Sequence, residues 1–178
     1  MDERGVSQPA PTDLEVEDAA REYLLRSLTA SARSRQQLAA GLASRDVPED
    51  VAERLLDRFT DVGLIDDAAL AQAIVRTRSQ ESGAARRRIA TELRRKGIAA
   101  DVAEEALIQV DDEDERRSAF DLARVRARRL VGLERDVALR RLVGFLGRKG
   151  YPPTLCLDAA RAGLEGALDD STETDRSD

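Results

Sequence analysis

The chain has no histidine, no tryptophan, one cysteine and only two tyrosines and three phenylalanines in 178 residues. Each shortage closes a class of function. Histidine is the usual general base near neutral pH and the commonest metal ligand. Ser-His-Asp sites, Cys-His sites and most zinc sites are therefore excluded, and no pair of carboxylates lies in a recognisably apolar setting. The single thiol, Cys156, cannot form an internal disulfide, which fits a reducing cytosol. Leu155, Leu157 and Ala159 around it mark a small buried thiol, not a nucleophile. No apolar run approaches the roughly 18 residues of a membrane span, and the polar, acidic N-terminus carries no visible secretory signal. The expectation is a cytoplasmic protein that is not an enzyme and uses neither metal nor cofactor.

Charge is abundant and unevenly placed. Charged residues make up 36% of the chain, against 3% aromatics, a composition suited to thin helical layers. The net charge of -6 hides a segregation. Residues 1–16 hold four acids and one arginine, and residues 165–178 hold six acids and one arginine. The remaining middle carries 27 bases and 25 acids. Both tails are polar, poor in apolar residues and expected to be disordered.

One apolar pattern recurs three times. Its first copy has anchors at Leu38, Leu42, Arg45, Val47, Val51 and Leu55. The second has Ile89, Leu93, Lys96, Ile98, Val102 and Ala106, and the third has Leu142, Leu146, Lys149, Tyr151, Leu155 and Ala159. The first two anchors of each copy share a helical stripe with the base, which stands in the last turn, where it complements the helix dipole. Gly97 and Gly150 then occupy the position of a left-handed helix terminus, with Asp46 as a tolerable but costlier substitute in the first copy. Pro48 and the Pro152–Pro153 pair suit the first turn of the following helix.

No strand alternation interrupts this periodicity. The spacing predicts an all-α chain of three tandem three-helix repeats in an elongated, curved array: a disordered tail over 1–16, modules over 17–62, 63–110 and 111–164, and an acidic disordered tail over 165–178. Helices are expected near 17–31, 34–45, 48–62, 67–81, 84–96, 99–110, 113–131, 134–148 and 153–164. A module of about 50 residues buries too little apolar surface to be secure alone, so neighbouring copies should stack. The acidic run Asp111 to Glu115 reads first as a solvated hinge between modules, and second as a starter for the helix that follows it.

The bases cluster in two internal blocks. Arg76 to Lys96 contains eight bases and two acids; Arg116 to Lys149 contains eleven bases and three acids. All but Lys96 and Lys149 are arginine, whose planar fork suits phosphates and carboxylates. Any one arginine on a helix face is most simply a solvated residue. Two whole blocks of unbalanced sign point instead to a polyanionic partner, because they repel themselves for no structural return. The candidate contact residues are Arg76, Arg78, Arg86, Arg87, Arg94 and Arg95, with Arg124, Arg126 and Arg128 as a second group. The few aromatics fit apolar helical positions, so no exposed ring for base stacking is evident. Direct contact with single- or double-stranded DNA would then run through phosphates and be salt-sensitive.

Residues 63–69 read GLIDDAA, in which Gly63 ends a helix and Asp66 caps the next. Residues 88–98 read RIATELRRKGI, and residues 145–151 read FLGRKGY. Together these segments resemble the signatures of the RecX family, regulators of the RecA recombinase, over about residues 17–164. The departures are Leu70 where the family often has an aromatic, Asp46 in place of a glycine, and Leu139 at the position matching Arg35 and Arg86. The resemblance implies three tandem three-helix modules in a monomeric, non-enzymatic regulator of DNA repair and the SOS response. Such a protein binds the RecA–DNA filament in its groove and restrains strand exchange, ATP hydrolysis and coprotease activity. The competing reading is a general nucleic-acid-binding helical repeat that grips the phosphate backbone.

Overall fold

The computed structural model describes residues 12–174, with side chains through Ala167. The tail expectations for 1–11 and 175–178 lie outside the described residues. Among those described there are nine α-helices and no strand. They are α1 (Asp13–Ala30), α2 (Arg35–Ala43), α3 (Glu49–Asp61), α4 (Asp67–Arg76), α5 (Arg86–Arg95), α6 (Ala100–Leu107), α7 (Asp112–Ala127), α8 (Arg135–Lys149) and α9 (Pro153–Thr174). A π-helical turn, Thr77–Glu81, prolongs α4, and a 3-10 turn, Arg128–Leu130, prolongs α7. The chain divides into two compact units, residues 1–70 and 71–178, with the division falling inside α4.

Two expectations about the ends need correction. The disorder expected over 1–16 does not hold for residues 13–16, because α1 opens at Asp13. Thr12 and Glu15 form a reciprocal capping box there, which satisfies two backbone donors at once. The disorder expected over 165–178 fails through Thr174, because α9 continues past residue 164. Leu164 and buried Ala167 pack onto Ala127, Leu130, Ala138, Leu142 and Ala160, an apolar contact that the acidic composition around Ala167 conceals.

In the first unit, α1, α2 and α3 pack on one another around Leu24, Leu38, Leu42, Leu55, Leu56 and Phe59, all buried. Helix α2 starts on a second capping box, Ser34 with Gln37. Asp66 caps α4 as expected, its Oδ1 accepting from the Ala69 N–H at 2.8 Å. The adjacent Asp67 does something sequence does not show: its Oδ1 accepts from the Arg35 N–H at 2.9 Å, so a residue of α4 caps the start of α2.

In the second unit α5 packs on α6, and α7, α8 and α9 pack on each other. The α7–α9 contact is built from small residues. Ala119, Ala123 and Ala127 recur every four residues along α7 and are fully buried, as are Ala159 and Ala160 of α9. Gly163 completes the seam: a Cβ there would stand 2.9 Å from the Ala123 carbonyl carbon. Cys156 is buried in the same region, donates to the Tyr151 carbonyl at 3.4 Å, and burial raises its thiol pKa.

The leading anchor pairs and the helix-terminus positions behave alike in all three copies. The leading pairs Leu38 and Leu42, Ile89 and Leu93, and Leu142 and Leu146 are each fully buried. Asp46, Gly97 and Gly150 all take positive φ, at 55°, 77° and 99°. Among the described residues Asp46 is the sole non-glycine to do so. A left-handed conformation costs an L-residue about 1–2 kcal/mol, less for Asp. Asp46→Gly is therefore expected to stabilise the first unit by about 0.5–1 kcal/mol, read as a rise in the urea midpoint at unchanged m-value. The third copy differs at its start. Arg35 and Arg86 are the first residues of α2 and α5, whereas α8 begins at Arg135, a turn before Leu139. Leu139 is partly buried and packs against the apolar cluster of α7, α8 and α9.

The acidic run 111–115 starts a helix, as the second of its two expected roles requires. Asp111 caps α7, its Oδ1 accepting from the Asp114 N–H at 2.6 Å, and the four acids that follow fill the first turn, at the positive end of the helix.

Candidate functional site

The π-helical turn, α5 and the C-terminal end of α8 gather four cations around a cavity in the second unit. The cleft between them has a volume of about 450 Å³ and is lined by Arg78, Arg88, Glu92, Phe145, Arg148 and Lys149, together with Ser82 and Ala84. The backbone fixes its two sides. The Ala85 N–H donates to the Lys149 carbonyl at 3.0 Å, and the buried Tyr151 hydroxyl donates to the Gly83 carbonyl at 3.1 Å. The Arg88 guanidinium donates to the Arg148 carbonyl, and the Lys149 ammonium donates to the Ser82 carbonyl. Gly150 allows this approach: besides its positive φ, a Cβ there would lie 2.7 Å from the Arg88 Cβ.

The cleft's single carboxylate is fully committed. Arg78 Nε and one terminal guanidinium nitrogen donate to the two Glu92 oxygens at 2.8 and 2.9 Å, a bidentate fork. Hydrogen bonding from Arg78 holds the Glu92 carboxyl below its ordinary pKa, and Glu92 in turn raises that of Arg78. Four cations and one paired carboxylate leave the cleft strongly positive. The Phe145 ring, half-buried at its wall, has Lys149 Nζ 5.9 Å and the Arg126 guanidinium 5.5 Å from its centroid. Phe145 thus adds a partly buried ring to the lining of a basic cavity, where the sequence shows none.

The structure sorts the nine candidate arginines into two kinds. Arg76, Arg87, Arg94 and Arg95 are exposed and have no ion-pair partner among the described residues. Arg78 is locked to Glu92. Arg86 is partly buried and donates to the Val110 carbonyl at 3.2 Å. The pKa of the Glu115 carboxyl is raised chiefly by burial and next by Asp112, with Arg86 opposing the shift. Arg124 lies 3.6 Å from Asp121 in an exposed pair, Arg126 stacks over Phe145, and Arg128 is exposed but not free of contacts. The equivalent of Arg86 in the first unit, Arg35, is likewise structural, with one guanidinium nitrogen 2.5 Å from Glu53 and 2.8 Å from Asp57.

The cleft residues Arg88, Arg148, Lys149 and Phe145 are not among the contact residues expected from the sequence. They lie inside the basic blocks, but about 60 positions apart, and only the folded unit shows that their helix faces meet. No group of His, Cys, Asp or Glu that could hold a metal occurs among the described residues. No described helix is long and apolar enough to cross a membrane.

Known proteins match most of this chain. The pattern of the RecX first three-helix domain matches residues 20–59, and that of the second three-helix domain matches residues 66–107. Regulatory protein RecX of Streptomyces coelicolor is 46% identical over 154 residues, covering 86% of this chain and 82% of that protein. The chain belongs to the RecX family. Regulatory protein RecX of Mycobacterium marinum is 43% identical over 167 residues, 92% of this chain and 96% of its own length. Among solved structures, RecX from Lactobacillus salivarius superposes with a TM-score of 0.73 at 25% identity, covering 85% of this chain and 98% of that one. A second crystal structure of regulatory protein RecX gives 0.70 at 26% identity, over 80% and 71% of the two chains. The RecX matches cover the helices that form both sides of the basic cleft.

Proposed function

We propose that this RecX-family chain regulates a RecA recombinase by binding the RecA–DNA filament, with no chemistry of its own. In this reading it acts in the cytoplasm as a monomer and restrains strand exchange, ATP hydrolysis and coprotease activity during DNA repair and the SOS response. The observation that carries the reading is 46% identity to a protein named for regulation, across most of both chains. The exposed, unpaired arginines Arg76, Arg87, Arg94 and Arg95 support it, since they offer forks to a polyanion without first breaking an internal bond. The three-helix sets 17–62, 63–110 and 111–164 serve as separate grips, whose weak contacts to successive protomers multiply into firm binding.

The test is the DNA-dependent ATPase of RecA. Substoichiometric chain is expected to lower the steady-state rate, more strongly at low salt. An unchanged rate at low salt contradicts the proposal. A second reading, a general phosphate-backbone binder, draws on the same unpaired arginines. It requires tight binding to naked duplex DNA with a salt slope that counts neutralised phosphates, and an empty gel shift at low salt removes it.

A further inference from the structure

We propose that the cleft between α5 and α8 is a nucleotide seat, holding one phosphorylated nucleoside unit with its phosphate on Arg148, Arg88 and Lys149 and its base against Phe145. The proposal concerns a site and a ligand chemistry, stands apart from recombinase regulation, and is tested without recombinase.

Size is the first argument. At about 450 Å³ the cavity falls within the range of small-ligand sites and can hold a nucleotide. Unpaired charge is the second. The Arg148 side chain has no partner among the described residues, and the cavity's one carboxylate has both oxygens on Arg78. An entering anion therefore meets little opposing charge. Arg88 and Lys149 each spend a donor on a carbonyl across the cleft, yet a guanidinium has five N–H donors and an ammonium three. Those cross-cleft bonds hold the cations in place before any ligand arrives, so little ordering cost remains to binding.

The ring is the third argument, and it selects among anions. A carboxylate-rich peptide would use the cations and leave Phe145 idle. A nucleotide uses both, since every base has a π-face that stacks on an aromatic side chain. Phe145 occupies the same cavity as the phosphate-type donors and lies within cation–π distance of Lys149. Beyond the cleft, the exposed Arg87, Arg94 and Arg95 of α5 and Arg140 and Arg141 of α8 extend the positive surface on both helices. That extension suits a strand whose neighbouring phosphates continue past the seat. The shared chemistry is a nucleotide, and its source is either a single strand or a free nucleoside triphosphate.

The experiment is fluorescence anisotropy with the full chain, a short fluorescein-labelled oligothymidylate and an abasic strand of equal length, at low salt. Arg148→Ala is expected to weaken oligothymidylate binding by about fivefold to tenfold. Arg129→Ala, which removes the same charge outside the cleft, should weaken it by about twofold at most. Phe145→Leu should cost about fivefold or more on oligothymidylate and nothing on the abasic strand. Phe145→Tyr, which keeps the ring, should bind like the parent, and this pair separates stacking from any loss of stability seen by circular dichroism. Displacement of the strand by millimolar ATP assigns a free nucleotide as an occupant; failure of ATP to displace a strand that still depends on Phe145 assigns the strand alone. Three results overturn the proposal. They are no binding of either probe, equal effects of Arg148→Ala and Arg129→Ala with Phe145→Leu silent, and displacement by polyglutamate that does not depend on Phe145.

Discussion

Replacing Gly163 by leucine is expected to destabilise the second unit by about 3 kcal/mol or more, the largest effect of any single substitution proposed for this chain. The reason is backbone contact, which no rotamer can relieve. A Cβ at Gly163 would stand 2.9 Å from the Ala123 carbonyl carbon and 3.0 Å from its oxygen, so α9 must move off α7. Gly163→Ala isolates the first step of that displacement. Helix propensity alone favours alanine over glycine by about 1 kcal/mol, yet the clash outweighs it and the net change should be destabilising. Gly166 provides the opposite case on the same helix: an added Cβ there meets nothing within 4 Å. Gly166→Ala should therefore raise stability by up to about 1 kcal/mol. Urea unfolding followed by circular dichroism reads both. Shifts of the same sign for the two alanines would mean that the small-residue seam does not hold α9 in place.

Reversing Arg87, Arg94 and Arg95 together to glutamate should abolish filament binding, a loss of at least about a hundredfold at low salt, while leaving helicity unchanged. All three are exposed on α5 and have no ion-pair partner among the described residues, so their removal breaks no internal bond. Arg78 and Arg86 are poor choices for the same test, although they lie in the same basic block. Arg78→Glu would set a new carboxylate against Glu92, and Arg86 donates to the Val110 carbonyl. Loss of binding in either variant would report damage to the second unit as much as loss of contact. The triple variant distinguishes the two causes, because helicity and affinity are measured separately.

The helical repeat was legible because its signals are local. Leucines four apart followed by a base, a left-handed position and a short apolar link define a helix and its end within about ten residues. All eighteen anchors keep their offsets, and even the cost assigned to Asp46 has a counterpart in its φ of 55°. What escaped the sequence depends on contacts between distant segments. The Arg78–Glu92 fork joins residues 14 apart in different elements, and Arg88 meets the Arg148 carbonyl across 60 residues. Both separations far exceed the three or four residues over which helix neighbours meet, so both pairs look like ordinary surface charge. The C-terminal extension of α9 was hidden by composition, since acids dominate residues 165–178 while Ala167 supplies the buried contact. The alanine stripe on α7 was passed over because alanine is common in any helix and marks an interface only when its partner is known. Phe145 read as an ordinary core ring, and only the fold shows that its half-buried side opens on four cations.

In the proposed function, exposed arginines of the second unit grip a polyanionic filament. The most direct measurement is the affinity of fluorescently labelled chain for preassembled RecA filaments on single-stranded DNA, comparing the parent with the Arg87, Arg94 and Arg95 triple reversal at matched helicity. The prediction is saturable, salt-weakened binding by the parent and none by the variant at the same concentration. Equal binding by both, or no binding by the parent at low salt, would contradict it.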